Sequence, residues 1–165
     1  MRPNFLDASI LATKYLGNQP YEVDCSEFVN KAAYNGDAIV SDHVVGEVVR
    51  KIREETRTKD LMSACMQELA LDLPSLTLVP VPDEAFDCMN LLKNQVGIRG
   101  SISAVDLLHL ATAIETPDCA GFVTLENDVL NQAAVIASIS RERRKARDKF
   151  QDCRKLNVFH VKDIN

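Results

Sequence analysis

The sequence lacks the features by which several classes of protein are recognised. No run approaches the roughly 18 consecutive apolar residues of a membrane-spanning helix, and residues 1–5 lack the basic and apolar regions of a signal peptide. The five cysteines form no Cys-x-x-Cys pair and are odd in number, which argues against a disulfide framework or a zinc site. No glycine-rich phosphate loop or dinucleotide fingerprint is present. We therefore expect a cytoplasmic protein with no membrane attachment and with reduced, mostly buried thiols.

The composition of the chain is that of an ordinary globular domain. Its 165 residues are enough for one domain with a substantial core and too few for two domains of ordinary size. Hydrophobic residues make up 46% and charged residues 26%, which argues against disorder or a fibrous repeat. We expect a single domain over residues 1–165.

Charge is unevenly distributed along the chain. Between Arg141 and Lys155, eight Lys or Arg stand against three acids, so this segment carries +5. Because the whole chain carries −5, the remaining residues carry −10. The segment over residues 130–155 has a helical pattern, predicted from Leu130 to Arg154. Its charges form either a solvated face or a local surface for RNA phosphates. The candidates for RNA contact are Arg141, Arg143, Arg144, Lys145 and Arg147.

Short apolar runs alternate with helical patterns. Strands are predicted at Asn4–Leu6, Asp37–Ser41, Leu76–Val81, Ala120–Thr124 and Asn157–Val161. Helices are predicted at residues 10–16, 26–33, 42–54, 56–72, 83–94 and 103–116, before the basic helix. Such alternation is typical of a parallel sheet covered by helices. We therefore predict an α/β fold with a central parallel sheet of four to five strands.

Acidic residues follow two of these strands. Asp7 comes directly after the first strand, and Glu126 and Asp128 follow the fourth strand, behind Thr124. In open α/β sheets, ligands bind at the carboxyl ends of the strands. Each acid also has a local explanation, because Asp is a common N-cap residue and acids are favoured in the first turn of a helix. Position alone leaves both explanations open.

Two further acids lie within helical patterns. Asp106 stands in the first turn of an otherwise apolar helix, where Ser103 and Asp106 also fit a capping box. Glu47 borders the apolar stripe of another helix, and Lys51, four residues further on, is a favourable surface partner for it. Both acids can thus be explained locally or as part of a site.

The four acidic positions share a feature that separate local roles do not require. In a parallel sheet with right-handed crossovers the carboxyl ends of all strands face one edge, so these acids can converge. Clustered carboxylates repel one another unless protons or cations neutralise them, and oxygen ligands with few histidines suit Mg²⁺ or Mn²⁺. His43 is interpreted as a surface residue at a helix start, and His109 as a satisfied core or rim residue. The pattern favours a metal site that can activate water for phosphodiester cleavage.

Four segments of the chain, in this order, resemble the PIN domain family. They are Phe5–Leu11 (FLDASIL), Ile39–Val49 (IVSDHVVGEVV), Ser103–Ala113 (SAVDLLHLATA) and Phe122–Asp128 (FVTLEND). Each segment carries an acidic position within its flanking apolar pattern, and the match spans most of residues 4–130. Within the family, the segments resemble in particular the toxin-type ribonucleases of bacterial and archaeal toxin–antitoxin pairs.

The resemblance implies a three-layer α/β/α sandwich and an endoribonuclease that depends on Mg²⁺ or Mn²⁺. Asp7, Glu47 and Asp106 match the main acids of the family, and we expect them to be catalytic residues that hold the metal. Ser9 and Thr124 match its small polar site residues. The expected partners are an RNA substrate, an antitoxin protein and a second copy of the chain in a homodimer.

Two features depart from the pattern of the family. Its fourth acid usually follows the Thr by two residues as Asp, whereas here Glu126 occupies that position and Asp128 lies two residues further on. Both are candidate catalytic residues. The long, partly basic segment over residues 130–155 replaces a connection that is usually short, so substrate docking or partner choice is expected to differ.

Two other functions fit parts of the same pattern. A PIN-like module could bind RNA or protein without cleaving it, and would then bind no Mn²⁺. Alternatively, the acids are only helix caps in some other small α/β domain, although no nucleotide-binding motif supports an enzyme of that kind. Metal binding and metal-dependent RNA cleavage distinguish a nuclease from both.

Overall fold

Five short strands form one sheet at the centre of the computed structural model, which describes residues 3–17, 19–95, 101–145, 147–150 and 155–164. The strands are β1 (Asn4–Leu6), β2 (Ala38–Ser41), β3 (Thr77–Val79), β4 (Gly121–Thr124) and β5 (Asn157–His160). Their order across the sheet is β3-β2-β1-β4-β5, and every neighbouring pair is parallel. The predicted parallel sheet is confirmed, with five strands.

Helices flank this sheet. The described part of the chain contains eight α-helices, which are α1 (Ala8–Leu16), α2 (Glu22–Asn35), α3 (Asp42–Glu55), α4 (Lys59–Asp72), α5 (Glu84–Lys93), α6 (Ala104–Glu115), α7 (Asn127–Leu130) and α8 (Ala133–Lys145). Within the same residues, no helix is both long enough and apolar enough to cross a membrane. The arrangement confirms the expected α/β/α sandwich.

The middle strands are buried on both faces, as the strands of a parallel sheet must be when helices cover both sides. Every residue of β1, β2 and β4 is buried, whereas β3, at one edge, is largely exposed. The rings of Phe5 and Phe122 stack across β1 and β4, with their centroids 5.8 Å apart. The continuous apolar runs of the sequence thus become the central strands.

Gly121 lets β4 approach its neighbours closely. A Cβ atom at this position would lie 2.2 Å from Oδ1 of Asn4 and 2.9 Å from the ring of Phe159. These two residues belong to β1 and β5, the strands that pair with β4. A side chain larger than hydrogen would therefore force these strands to shift.

Four of the five cysteines lie in the described residues, and these four are buried and form no disulfide there. They are Cys25, Cys65, Cys88 and Cys119, while Cys153 lies outside the described residues. Burial raises the pKa of Cys25 and of Cys88 to about 12, so these thiols stay protonated. The prediction of buried thiols is confirmed for these four.

The basic segment differs from the single long helix that was predicted. The backbone N–H of Gln132 donates to the carbonyl oxygen of Val129 at 3.1 Å, a bond of the short i to i−3 type that closes α7 before α8 begins. α8 ends at Lys145, and a 3₁₀ turn follows at Asp148–Phe150. Residues 146 and 151–154 lie outside the described part. The prediction of a continuous helix over Leu130–Arg154 was therefore wrong.

Arg144 of α8 is buried, with 1% of its surface exposed, and caps the end of α6. Its guanidinium donates to the carbonyl oxygens of Ala113, Ile114 and Cys119 at 2.8 Å each, and to that of Thr116 at 3.3 Å. The last carbonyl groups of a helix have no partner within the helix, and a cation is favoured beside them. Arg144 thus fixes the end of α6 to α8.

Two neighbouring arginines of the basic segment also have internal partners. Arg143 and Arg147 both form ion pairs with Glu115, whose side chain is fully buried at the end of α6. Arg143 also donates to the backbone oxygen of Glu84 at 3.0 Å. Because a buried carboxylate is costly without such partners, these two arginines support the fold.

Candidate metal centre

The sheet brings several of the predicted acids to one edge. β2, β1 and β4 are neighbours and parallel, so the chain leaves all three at the same edge. Asp7 follows β1, and Glu126 follows β4. Helix α3, which carries Glu47, follows β2. The backbone N–H of Asp7 donates to the carbonyl oxygen of Val123 at 3.0 Å, which joins the ends of β1 and β4. The topology therefore sets these side chains side by side.

Asp7 is the N-cap residue of α1 by position, but its side chain makes no capping bond. The carboxylate is buried, and its Oδ2 atom accepts hydrogen bonds from Ser9 Oγ at 2.6 Å and Thr124 Oγ1 at 2.8 Å. Its Oδ1 atom lies 3.1 Å from Nδ1 of His109. Burial by itself raises the pKa of Asp7, but His109 and the two hydroxyls outweigh burial and hold the pKa below its usual value. Asp7 is therefore an ionised carboxylate within the core.

Ser9 and Thr124 are oriented by the loop that follows β4. Ser9 Oγ accepts from the backbone N–H of Leu125 at 3.1 Å, and Thr124 Oγ1 accepts from the backbone N–H of Glu126 at 3.0 Å. A hydroxyl has one proton to donate, and accepting these amides leaves that proton free for Asp7. Both predicted polar residues thus hold the Asp7 carboxylate in one orientation.

Glu47 lies on α3 and has partners on two sides. Its Oε1 atom is 3.5 Å from Nζ of Lys51 and 3.9 Å from the guanidinium of Arg50, both toward the surface. Its Oε2 atom is 3.4 Å from Nε2 of His109. The surface pairing with Lys51 that the sequence suggested is therefore present, and the same carboxylate also borders the cluster.

Asp106 lies in the first turn of α6 and shares a capping arrangement with Ser103. Ser103 Oγ accepts from the backbone N–H of Asp106 at 3.2 Å and donates to Asp106 Oδ2 at 2.6 Å. The carboxylate thus contacts the capping hydroxyl and not the backbone amide that a full capping box would use. Burial and the negative charges of Asp7 and Glu47 raise the pKa of Asp106, against the hydrogen bond from Ser103. Ligand atoms of Asp7, Asp106 and His109 all lie within 4.8 Å of one another.

The structure separates the two candidates for the fourth acid. Glu126 is partly buried, and burial together with the charges of Asp7 and Asp106 raises its pKa, while Lys51 opposes the shift. Asp128 is exposed in the first turn of α7. Glu126 therefore lies within the electrostatic influence of the cluster, whereas Asp128 faces solvent.

His109 belongs to this cluster, although its sequence context favoured a satisfied core or rim residue. The ring is 1% exposed and lies between Asp7 and Glu47. The signal that could have found it is spacing, because His109 follows Asp106 by three residues and so shares its helix face. His43 is exposed, and its ring meets that of His109 edge-on, with the centroids 5.3 Å apart. Both histidines are therefore close to the acids.

The basic residues proposed for RNA contact divide by burial. Arg141 and Lys145 are exposed on α8. Arg144 is buried against α6, and Arg143 and Arg147 are paired with a buried carboxylate. Two of the five side chains are therefore exposed to solvent, and the other three have partners within the protein.

The donor set fits a divalent cation. The raised pKa values of Asp106 and Glu126 come partly from the charges of nearby acids, which a cation would neutralise. Carboxylate oxygens are the protein ligands that suit Mg²⁺ and Mn²⁺. Nε2 of His109 and Oε2 of Glu47 are buried and have no hydrogen-bond partner among the described residues, so they retain capacity to bind an ion.

Comparison with known proteins identifies the family. The model of the PIN domain matches residues 5–135, which is most of the chain. A search of the curated proteins finds no match. PIN domains are generally metal-dependent nucleases and bind nucleic acid, and the acidic cluster described above could hold such a metal. On the extent of the match and on its fold, this chain belongs to the PIN domain family.

Proposed function

We propose that this protein is a metal-dependent endoribonuclease that hydrolyses RNA phosphodiester bonds. The observation that carries the proposal is the gathering of Asp7, Glu47, Asp106 and Glu126, from four separate segments, at the carboxyl edge of the sheet. Gathered carboxylates do not help folding, because each makes the next harder to ionise. A divalent cation removes that repulsion, so the cluster supports a function that uses one.

In this proposal Asp7, Glu47 and Asp106 hold Mg²⁺ or Mn²⁺, directly or through water. A divalent ion bound there supplies positive charge for the phosphoryl oxygens and activates water for attack. Asp7 serves as the fixed ligand, because Ser9, Thr124 and His109 hold its carboxylate and keep it ionised.

Glu126 is proposed as the fourth acid, in preference to Asp128. Its carboxylate is partly buried, and burial together with the charges of Asp7 and Asp106 raises its pKa, which supports a role beside the cluster. Asp128, which is exposed, is proposed to contribute little to catalysis. This assignment follows from burial and charge, since the sequence left the two acids equivalent.

RNA is proposed as the substrate because the four acidic motifs resemble those of toxin-type ribonucleases. Arg141 and Lys145 remain candidates for phosphate contacts, since their side chains are exposed. The same resemblance supports a proposed role as the toxin of a toxin–antitoxin pair, inhibited by an antitoxin protein and assembled as a homodimer.

The test is cleavage of a mixed pool of single-stranded RNA by the full chain in Mn²⁺, in Mg²⁺ and in EDTA. Asp106→Asn keeps the size of the side chain and removes its charge, and Glu126→Gln does the same at the fourth position. We expect Asp106→Asn to lower cleavage by more than about 100-fold, since groups that only support metal ligands already contribute about 10–100-fold. Asp128→Asn is the matched control and should cleave like the wild type.

Two outcomes would contradict the enzyme. Equal cleavage by the wild type and by Asp106→Asn would show that the cluster is not the site, and undiminished cleavage in EDTA would exclude metal dependence. Calorimetry addresses the alternative of a binding module that does not cleave. A folded wild-type protein that binds RNA but takes up no Mn²⁺ would favour that module.

The role as a toxin is tested separately, by induced expression in a bacterial host. The wild type should arrest growth, and Asp106→Asn should not, because it retains the fold and loses the metal ligand. Equal growth of the two cultures, combined with RNA cleavage by the purified wild type, would contradict the toxin role and leave the nuclease in place.

A further inference from the structure

His109 is a buried polar residue with carboxylates on both sides. It lies on α6, one turn after Asp106, and 1% of its surface is exposed. Its Nδ1 atom is 3.1 Å from Oδ1 of Asp7, and its Nε2 atom is 3.4 Å from Oε2 of Glu47. The imidazole ring therefore joins two of the acids that are proposed to hold the metal.

A neutral imidazole cannot satisfy both of these contacts. It carries one N–H donor and one nitrogen lone pair, so in either tautomer a lone pair faces a carboxylate oxygen. The unsatisfied side is that of Glu47. Nε2 of His109 and Oε2 of Glu47 lie within the range of an ion pair but lack the geometry of a hydrogen bond, and both are buried without another partner among the described residues. Two buried acceptors that face each other need a positive charge between or beside them.

The distances suit a metal ion in that role. Nε2 of His109 and Oε2 of Glu47 lie 3.4 Å apart, which is close enough for both atoms to contact one ion. Atoms of Asp7, Asp106 and His109 also come within 4.8 Å of one another, so one ion can reach all three residues.

The contact with Asp7 would then orient the ring. Histidines that bind metals commonly donate their other ring N–H to a carboxylate, which fixes the tautomer. Nδ1 of His109 is placed to donate to Oδ1 of Asp7, and Ser9 and Thr124 hold the opposite oxygen of that carboxylate. This arrangement leaves the lone pair of Nε2 directed at Glu47.

From this geometry we infer that His109 is a nitrogen ligand, through Nε2, of the ion that the proposed nuclease binds. The inference rests on the proposed function and adds a metal preference to it. Both ions take carboxylate oxygens, but Mn²⁺, as a first-row transition ion, accepts an imidazole nitrogen beside them more readily than Mg²⁺, which keeps oxygen ligands and water. The site therefore binds Mn²⁺ in preference to Mg²⁺, because His109 contributes to the first ion and not to the second.

The direct test is pulsed electron paramagnetic resonance of the full chain loaded with one equivalent of Mn²⁺. A bound imidazole nitrogen modulates the electron spin echo, and labelling all histidines with ¹⁵N replaces the ¹⁴N modulation by that of ¹⁵N. We expect this replacement in the wild type. Mn²⁺ that binds without any histidine nitrogen modulation overturns the inference. This measurement needs no variant, so it stands even if substitutions at His109 do not fold.

Variants identify which histidine is responsible, since the chain has three. His109→Gln should lose the nitrogen modulation and bind Mn²⁺ about 10–100-fold more weakly by calorimetry. Its affinity for Mg²⁺ should change much less. His160→Gln is the matched control, because His160 lies at the end of β5 with its ring edge-on to Tyr21, and it should behave like the wild type. Loss of the modulation in His43→Gln instead would assign the nitrogen to His43 and overturn the inference.

The nuclease activity and the role of His109 as a ligand can be refuted separately. Wild type that cleaves RNA with Mn²⁺ but shows no histidine modulation keeps the nuclease and removes His109 from the ligands. Equal loss of Mn²⁺ and Mg²⁺ affinity in His109→Gln would likewise remove the metal preference. Wild type that is folded and binds neither ion overturns the nuclease and the ligand together.

Discussion

Arg144→Met should destabilise the protein far more than the same change at its neighbour, Lys145. The guanidinium of Arg144 is buried and donates to four carbonyl groups at and beyond the end of α6. Methionine has a similar length and fits an apolar environment, but it donates no hydrogen bond. The change therefore leaves these carbonyl groups without their partner while disturbing the packing little.

The size of the effect follows from the hydrogen bonds. Three of the four donor–acceptor distances are 2.8 Å, and each buried acceptor left without a partner costs about 1–3 kcal/mol. Part of this loss of stability is offset, because the variant no longer has to bury a charge. We therefore expect a net loss of about 3–5 kcal/mol, within the range for a broken buried charge interaction. Because a whole domain is stable by only about 5–15 kcal/mol, this is a large fraction of the total.

The assay is urea denaturation followed by far-ultraviolet circular dichroism. With a slope of about 2 kcal/mol per molar urea, the expected loss lowers the midpoint by about 1.5–2.5 M. Lys145→Met, which alters an exposed side chain on the same helix, should change the stability by less than about 0.5 kcal/mol. A loss below about 1 kcal/mol for Arg144→Met, with weaker RNA binding, would refute the structural role and restore Arg144 as a surface residue.

Asp106→Asn should stabilise the metal-free protein, because it removes a charge that burial and neighbouring acids oppose. Solvent screens this half-buried carboxylate, so the gain in unfolding free energy should be no more than about 0.5 kcal/mol, seen as a higher Tm in calorimetry. A lower Tm would contradict this. Because the pKa values of Asp106 and Glu126 are raised in the fold, their stabilising contribution is present below the ordinary carboxyl pKa and is lost as pH rises through the raised values. Bound Mn²⁺ should therefore raise Tm more at about pH 7.5 than at about pH 5, and an equal shift at both would count against the cluster as the site. Gly121→Ala should lower the free energy of unfolding, measured by urea denaturation, by about 1–3 kcal/mol, because the added methyl group crowds the neighbouring strands. Gly46→Ala should raise it by about 0.8–1 kcal/mol, because Gly46 lies within α3 and has open space around it. Similar values for the two glycines would refute the close approach at Gly121.

The positions of the acids at the sheet edge could be predicted because they depend on where each strand ends, which the local sequence indicates. Asp7 and Glu126 stand just beyond apolar runs, and such runs mark the central strands without knowledge of the fold. Parallel pairing then brings the ends of neighbouring strands to one edge. Ser9 and Thr124, which only the resemblance to the family implied, flank the same strand ends and donate to Asp7.

The choice between Glu126 and Asp128 needed the structure. Both acids follow β4 within four residues of Thr124, and helix-start chemistry accommodates either of them. What separates them is burial, because Glu126 is partly buried, whereas Asp128 is exposed in the first turn of α7. Burial depends on packing between elements, which a sequence pattern does not contain.

The partners of His109 and Arg144 could not be predicted from the sequence, for a related reason. Each is a polar residue whose partners come from other segments of the chain. Helical periodicity tells which residues share a face of a helix, but not which element covers that face. A buried arginine in a basic run therefore looks the same in the sequence as a solvated one, and a histidine between two acids looks like a rim residue.

Helix α6 connects the basic segment to the candidate metal centre. Asp106 and His109 lie in the first turns of α6, where the acids gather, and Arg144 caps the last turn of the same helix. The positive end of the helix faces the carboxylates and the negative end meets a buried cation, so the charge at each end suits the helix dipole. Arg143 and Arg147 add to this by neutralising Glu115 in the last turn. These three arginines thus act on the site by fixing the helix that carries two of its residues, and an RNA contact is not needed to account for them.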